Sequence, residues 1–353
     1  MTGTNGHAAA AVPGPGSPEQ VFQLMLAYKT TAMLSAGIEL GLFDALAPGP
    51  VGAAEVARRL AVAERGARLL LNGLAALGLL ESDGQTYALA EGTGRYLVRG
   101  RPGYIGDMAH VMASSWEWDA FGTLAQAVRR GGPVVAEHAE TPGYAYWGQF
   151  AAYAGAVARP TAEVVTAALR PWARSRPALA VLDVACGHGL YGYTFAAALP
   201  QARVWSLDWP NVLVEARKHA AELGVADRVD TIAGDMFTAP LGGPYDVVMV
   251  TNVLHHFSPE RGVALLRRAA AAMAPGGRLV LVGFVTRDGR PPAQDAAAHL
   301  FSVLMLVWTF SGEVHSELTY QRMLAEAGFG PGELHRVPGL PLSVLVADLR
   351  VRA

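Results

Sequence analysis

Leu179-Ala180-Val181-Leu182-Asp183-Val184-Ala185-Cys186-Gly187-His188-Gly189-Leu190-Tyr191-Gly192 is the stretch on which the fold turns. Six mostly apolar residues have the length of a buried strand, and the glycines after them allow a tight turn into a helix starting at Tyr191. The same alternation repeats outward. Residues 202–207, 228–233, 245–250 and 278–282 read as four further strands, and 191–199, 212–223, 259–273, 293–310 and 319–327 as helices. Apolar strands alternating with helices indicate a parallel sheet covered on both faces. A last run, 342–347, has no helix after it and is expected to close the sheet edge antiparallel. The predicted class is α/β, a Rossmann-like doubly wound, mostly parallel sheet with an antiparallel edge strand.

At 353 residues the chain is longer than one domain usually takes. The expected organisation is a disordered tail over 1–17, a helical module over 18–102, a helical linker over 103–172 and the α/β domain over 173–353. A content of 52% hydrophobic and 16% charged residues excludes a disordered chain. The single cysteine, Cys186, excludes a disulfide framework or a Cys-rich zinc site and fits a reducing compartment. No stretch has the roughly 20 apolar residues of a spanning helix. The first 17 residues lack the basic start and apolar run of a signal peptide. A cytoplasmic location without membrane contact is expected.

The module over 18–102 reads as helices at 21–36, from 51 and at 64–80, then a hairpin. Gly78-Leu79-Leu80-Glu81 turns through Ser82-Asp83-Gly84-Gln85 into Tyr87-Ala88-Leu89. This is a winged-helix outline, which serves either DNA binding or dimerisation. The third helix offers Arg65 and Arg68 and then Leu69-Leu70-Leu71, whereas a helix in the major groove needs polar and basic side chains. The net charge of −2 gives no attraction to nucleic acid or acidic lipid. An all-α winged-helix dimer interface is therefore expected, with no nucleic-acid partner. Beyond it, Trp116, Trp118, Phe121, Tyr144, Tyr146, Trp147, Phe150 and Tyr153 crowd into little more than a tenth of the sequence. Helix packing uses some of them, and a cavity for a planar organic substrate would use others.

Gly187-His188-Gly189-Leu190-Tyr191-Gly192 matches a dinucleotide fingerprint, with Asp208 closing the next strand as the ribose ligand. Three features argue against a dinucleotide. Asp183 stands at the mouth of the loop, where a pyrophosphate would meet like charge. Gly234-Asp235-Met236-Phe237 sets an acceptor beside two apolar side chains, suited to an adenine amino group and its ring. The last strand is expected to run antiparallel. S-adenosylmethionine, with ribose, adenine, ammonium and sulfonium but no phosphate, satisfies all three.

On Asp183 to Gly189, Leu207-Asp208-Trp209-Pro210, Gly234-Asp235-Met236-Phe237, Asn252-Val253-Leu254-His255-His256-Phe257-Ser258-Pro259-Glu260, Ala274-Pro275-Gly276-Gly277-Arg278 and Ala327-Gly328-Phe329, the sequence resembles class I S-adenosylmethionine-dependent methyltransferases. Within that class it resembles the small-molecule O-methyltransferase family with an N-terminal winged-helix dimerisation domain. The resemblance runs from about Pro18 to Leu349. It implies a homodimer, S-adenosylmethionine as cofactor and S-adenosylhomocysteine as its product. By the same resemblance Gly187 approaches the methionine portion, Asp208 binds the ribose, and Asp235 and Met236 hold the adenine. Asp183, Trp209, Phe237 and Thr251 complete the expected cofactor set. Ala185 replaces the first glycine of the family loop.

Methyl transfer is an in-line displacement, for which the enzyme aligns the reactants and keeps water out. A phenol of pKa about 10 giving its proton outright to a histidine of pKa about 6.5 is uphill by about 5 kcal/mol, so deprotonation is best coupled to attack. By resemblance His255 is the general base, while His256 is expected to point elsewhere and be structural. The family usually supports this histidine with two glutamates; here those positions read Gly283 and Val314, with Glu313 adjacent. Without an orienting carboxylate the tautomer and basicity of His255 are less controlled. That leaves room for C- or N-methylation, or for a cofactor-binding protein of different chemistry. The expected acceptor is a small aromatic or polyketide-like metabolite. Phe301, Met305 and Trp308 would form one wall of its pocket, Phe150 and Tyr153 another, with Asn252 as a further contact. His255, His256, His299, His315 and Glu313 have no compact ligand spacing, and no metal is expected.

Overall fold

The computed structural model describes residues 16–350, which fall into two compact units divided between Trp118 and Asp119. The division cuts through the stretch 103–172. The expected tail lies almost wholly outside the described residues.

The first unit holds helices Pro18–Glu39, Leu42–Leu46, Ala53–Leu60 and Glu64–Ala76. Strands β1 (Val51–Gly52), β2 (Leu80–Ser82) and β3 (Thr86–Leu89) form an antiparallel sheet in the order β1-β3-β2. The Asp83 carboxylate accepts hydrogen bonds from the N–H of Gln85 (2.9 Å) and Thr86 (2.7 Å), closing the wing turn as Asp side chains do in tight turns. Leu71 and Leu74 of the leucine-rich helix enter a core with Leu42, Phe43, Val56 and Tyr87, while Leu69 stays exposed. The helix Pro18–Glu39 buries only Gly37 and Ile38. Its Phe22, Leu24 and Met25 are each more than 60% exposed, a large apolar surface for one helix.

The second unit is built on β4 (Leu179–Val184), β5 (Ala202–Asp208), β6 (Val229–Ala233), β7 (Tyr245–Thr251), β8 (Met273–Gly283), β9 (Glu333–Arg336) and β10 (Ser343–Asp348). They are ordered β6-β5-β4-β7-β8-β10-β9. The first five run parallel; β10 pairs antiparallel with both β8 and β9. Side chains alternate between faces. Val181, Val204, Val247, Met249 and Val280 enter one core, and Leu182, Val184, Leu207, Val248 and Leu281 the other. The final run is antiparallel as expected, but it is not the outermost strand. That place belongs to β9, whose Glu333-Leu334-His335-Arg336 has a single apolar residue and so no strand signal. Among the described residues no helix is long and apolar enough to cross a membrane.

Sheet order reverses at β4, which pairs with β5 on one side and β7 on the other. Loops leaving such a point diverge and open a crevice at the carboxyl ends of the strands. The loop after β4 turns through three left-handed residues: Ala185 (φ 52°), Gly187 (φ 56°) and Gly189 (φ 71°). A Cβ on Gly189 would lie 2.1 Å from the Tyr193 ring, so a side chain is excluded by space as well as by backbone. Gly189→Ala is expected to cost about 2–4 kcal/mol, combining a left-handed backbone penalty with overpacking. Ala185→Gly should stabilise by up to about 1 kcal/mol. Urea denaturation midpoints that fail to move in opposite directions would refute this account of the loop.

Candidate active site

At the carboxyl ends of β4 to β7 the second unit holds a cavity of roughly 900 Å³, its open mouth included. Gly187 and His188 enter it from the loop after β4, Asp208 and Trp209 from the end of β5. Asp235, Met236 and Phe237 follow β6; Thr251 ends β7, and Asn252, Val253 and His256 follow it. A Cβ on Gly187 would meet no atom within 4 Å, so the backbone itself forms the surface there.

Three acids stand at strand ends, in different states. Asp208 accepts from the N–H of Gly187 (2.8 Å) and of Trp209 (2.7 Å). Burial nevertheless pushes its pKa up to about 6. Each carboxylate oxygen can accept more than one hydrogen bond, which leaves capacity for hydroxyl donors. Asp235 accepts from the Phe237 N–H through one oxygen (2.8 Å). Beside it the Arg261 guanidinium lies over the rings of Phe237 and Phe257, at 4.6 and 4.9 Å, and pairs with Glu140 at 3.2 Å. Asp183 is fully buried and forms no part of the cavity wall. Its Oδ2 accepts from the Gly192 N–H (3.3 Å), and its Oδ1 has no partner. Burial, reinforced by the charge of Asp208, pushes its pKa up to about 8.

Much of the remaining lining is aromatic. The His188 ring stacks with Phe150 (centroids 6.4 Å, 21°) and tilts against Tyr191 (5.6 Å). Its Nδ1 accepts from the Leu190 N–H (3.1 Å), and burial brings its pKa down to about 3. Trp147 stacks on His256 (5.2 Å, 28°) and donates from its indole to the Ala139 carbonyl (3.0 Å). Asn252, held at φ 51°, donates to the Tyr191 hydroxyl (2.8 Å). His256 therefore faces the cavity, with its pKa lowered to about 4 by burial, contrary to the expectation that it points elsewhere.

His255 is not on that wall. Its ring packs edge-on to Phe301 (4.8 Å, 88°), which stacks on Phe284 (4.2 Å). Burial first, then the neighbouring His256 and His315, hold its pKa well below the usual histidine range. Its Nδ1 has no partner. Glu313 is exposed in a surface groove beside Glu260 and His315, and Val314 is buried, its N–H donating to the Ser302 hydroxyl (2.9 Å). Neither position brings a carboxylate to His255.

Of the expected acceptor contacts, Phe150 and Asn252 line the cavity. Tyr153, Phe301, Met305 and Trp308 do not. Trp308 is fully buried against Tyr146 (4.5 Å) and Trp147 (6.3 Å). The helix Ala296–Trp308 thus sets Trp308 behind the aromatic wall and Phe301 against His255. His188, Trp147 and Arg261 were not singled out from the sequence. The first two sit inside stretches that stood out, the glycine loop and the aromatic cluster, but nothing in the pattern marks Arg261. Among the described residues no three His, Cys, Asp or Glu side chains converge to hold a metal ion.

The orphaned Asp183 generates a test. An acid whose native pKa is raised contributes stability that is full below its unfolded value, about 3.9, and lost as pH rises through the native value. The ligand-free protein should therefore lose stability between about pH 4 and 8 through this group. Asp183→Asn should flatten that slope, so that its melting temperature gains on the wild type as pH rises. A gap independent of pH would show that Asp183 is not held protonated by its surroundings.

Residues 159–330 match the O-methyltransferase domain and residues 22–99 the O-methyltransferase dimerisation domain. The chain is 30% identical over 327 residues to the tetracenomycin polyketide synthesis 8-O-methyl transferase TcmO of Streptomyces glaucescens, covering 90% of this chain and 92% of that protein. It is 29% identical over 329 residues to the N,N-dimethyltransferase OxyT of Streptomyces rimosus, covering 91% and 93%. Its fold matches that of human N-acetylserotonin methyltransferase in complex with SAM, with a TM-score of 0.80 at 25% identity over 96% of this chain and 99% of the other. The chain belongs to the small-molecule O-methyltransferase family, S-adenosylmethionine-dependent methyltransferases that carry an N-terminal dimerisation domain.

Proposed function

We propose that the chain transfers the methyl group of S-adenosylmethionine to a hydroxyl of a small aromatic or polyketide-like metabolite, with His255 as general base, and that it works as a homodimer. The observation that carries the reading is the acceptor row at the ends of β5 and β6 beside a bare-backbone cradle at Gly187. Asp208 retains acceptor capacity for ribose hydroxyls, and the free oxygen of Asp235 suits an adenine amino group flanked by Met236 and Phe237. Trp209 and Thr251 complete the lining. Buried beneath the loop, the Asp183 carboxyl suits a ligand carrying positive charge, which would draw it towards its ionised form. The donor set fits the cofactor, whose methyl sulfonium supplies the electrophile when bound.

The chain's own contribution is positioning, exclusion of water and acceptance of a proton. Trp147, Phe150 and Tyr191 make a wall of low polarity. His188 and His256, both neutral at physiological pH, add no charge to it. His255 is neutral as well, the state in which it can take a proton. Its low basicity favours proton removal coupled to attack.

A second reading, N-methylation, is favoured by the lack of any carboxylate at His255. An amine attacks through its lone pair and sheds its proton afterwards, so it needs a weaker base. The N,N-dimethyltransferase among the relatives is consistent with this. Mass spectrometry of products from paired hydroxyl and amino acceptors separates the two readings, and no methylated product from either class would refute both. His255→Ala should lower hydroxyl methylation by about 10²–10⁴-fold. The wild-type acid limb should fall below the usual histidine range; an unchanged rate in the variant removes the base role.

The homodimer reading rests on the dimerisation domain and on the exposed apolar side chains of Pro18–Glu39. Phe22→Asp combined with Met25→Asp should convert the protein to a monomer in light scattering at micromolar concentration. A dimer that survives both substitutions is held elsewhere.

A further inference from the structure

The two ring nitrogens of His188 have different surroundings. Nδ1 accepts from the Leu190 N–H (3.1 Å), the first residue of the helix Leu190–Ala198. A backbone N–H can only donate, so Nδ1 carries no proton and the neutral ring holds its one proton on Nε2. The residue is 4% exposed and lines the cavity. Among the described residues its Nε2–H has no hydrogen-bond partner, yet it is not one of the polar atoms sealed from solvent, as the His255 Nδ1 is. His188 therefore presents a donor of fixed direction on the cavity wall.

Much of the loop's own donor capacity is already spent. The N–H of Cys186 goes to the Leu207 carbonyl (3.0 Å), that of Gly187 to Asp208 (2.8 Å) and that of Gly189 to the Cys186 carbonyl (2.8 Å). Arg261, the lining side chain with a permanent positive charge, pairs with Glu140 and lies over Phe237 in the loop after β6. Burial first, then the charges of His219 and Arg159, keep the His188 ring neutral, and neither of those two side chains lines the cavity.

We propose that His188 binds the carboxylate at the amino-acid end of the cofactor, donating Nε2–H to it. The inference rests on the cofactor lying across the strand ends as proposed above. β6, β5 and β4 are successive neighbours in the sheet. With adenine at Asp235 and ribose at Asp208, the amino-acid end falls at the loop after β4, which holds His188 above the buried Asp183. That end carries an ammonium and a carboxylate. The Asp183 carboxyl suits the ammonium, and the carboxylate needs a donor. A neutral imidazole supplies one without setting a further positive charge beside the ammonium and the sulfonium. The Leu190 N–H, at the positive end of its helix, polarises the ring through Nδ1 and strengthens Nε2–H as a donor.

The test is calorimetric titration of the full-length protein with S-adenosylmethionine, S-adenosylhomocysteine and decarboxylated S-adenosylmethionine, which keeps the adenosine, sulfonium and ammonium. His188→Asn retains an oxygen placed to accept from the Leu190 N–H and removes the donor at Nε2. It should weaken the two carboxylate-bearing ligands about 10–100-fold, as loss of a hydrogen bond to a charged group does, and leave the decarboxylated ligand unchanged. That unchanged affinity also shows that the loop is intact. His188→Gln, with an amide N–H near the Nε2 position, should recover part of the loss. Equal weakening of all three ligands in His188→Asn overturns the proposal, and so does no weakening of any. Asp235→Ala, which removes the adenine contact, should weaken all three alike. If it weakens none, the placement of the cofactor fails and this inference with it; if it weakens all three while His188→Asn weakens none, the inference alone fails.

Discussion

The Asp208 carboxylate, gripping the N–H of Gly187 and of Trp209, is the interaction on which the rest of the second unit depends. A glycine turn has no side chains of its own to fix it. One carboxylate at the end of β5 ties both the loop after β4 and the start of the next helix to a single point. The crevice that sheet order opens is thereby given a rigid floor. The cost is a buried charge, visible in the raised pKa of the group. A ligand that donated hydroxyls to the same oxygens would relieve that cost, making the loop's anchor and the proposed ligand contact one feature.

Around that floor, burial sets the protonation of every histidine that matters. His188, His255 and His256 are all driven towards the neutral form, and desolvation is the leading cause in each case. The result is an aromatic, largely uncharged wall facing the row of acids at the strand ends. Such a division suits a reaction in which charge is consumed. Under the proposed reading the cationic partner would sit by the acids, and an apolar acceptor would approach along the aromatic side chains.

The sheet was legible in the sequence because its central strands are buried on both faces, which forces runs such as Leu179–Val184 and Tyr245–Thr251 to be apolar throughout. The edge strand β9 was not, since an edge strand half open to water has no need of an apolar run. In the site, Gly187, Asp208 and Asp235 were readable as cavity-lining positions because their place at the strand ends follows from chain position, whereas Asp183 lies behind the wall. The histidine pair was harder. Leu254–His256 form a single tight turn, in which adjacent side chains diverge, and nothing in His255-His256 says which ring meets the cavity. Phe301, Met305 and Trp308 were readable as one helical stripe. What the stripe packs against is a long-range fact that the periodicity does not contain.

Two indoles border the cavity, Trp147 stacked on His256 and Trp209 beside the Asp208 anchor. Trp308, by contrast, is sealed in the interior. The chain therefore carries its own optical gauge. A ligand settling against the strand ends changes the polarity and quenching around two of the chain's seven indoles, and occupancy can be followed as a change in the protein's own fluorescence without any label.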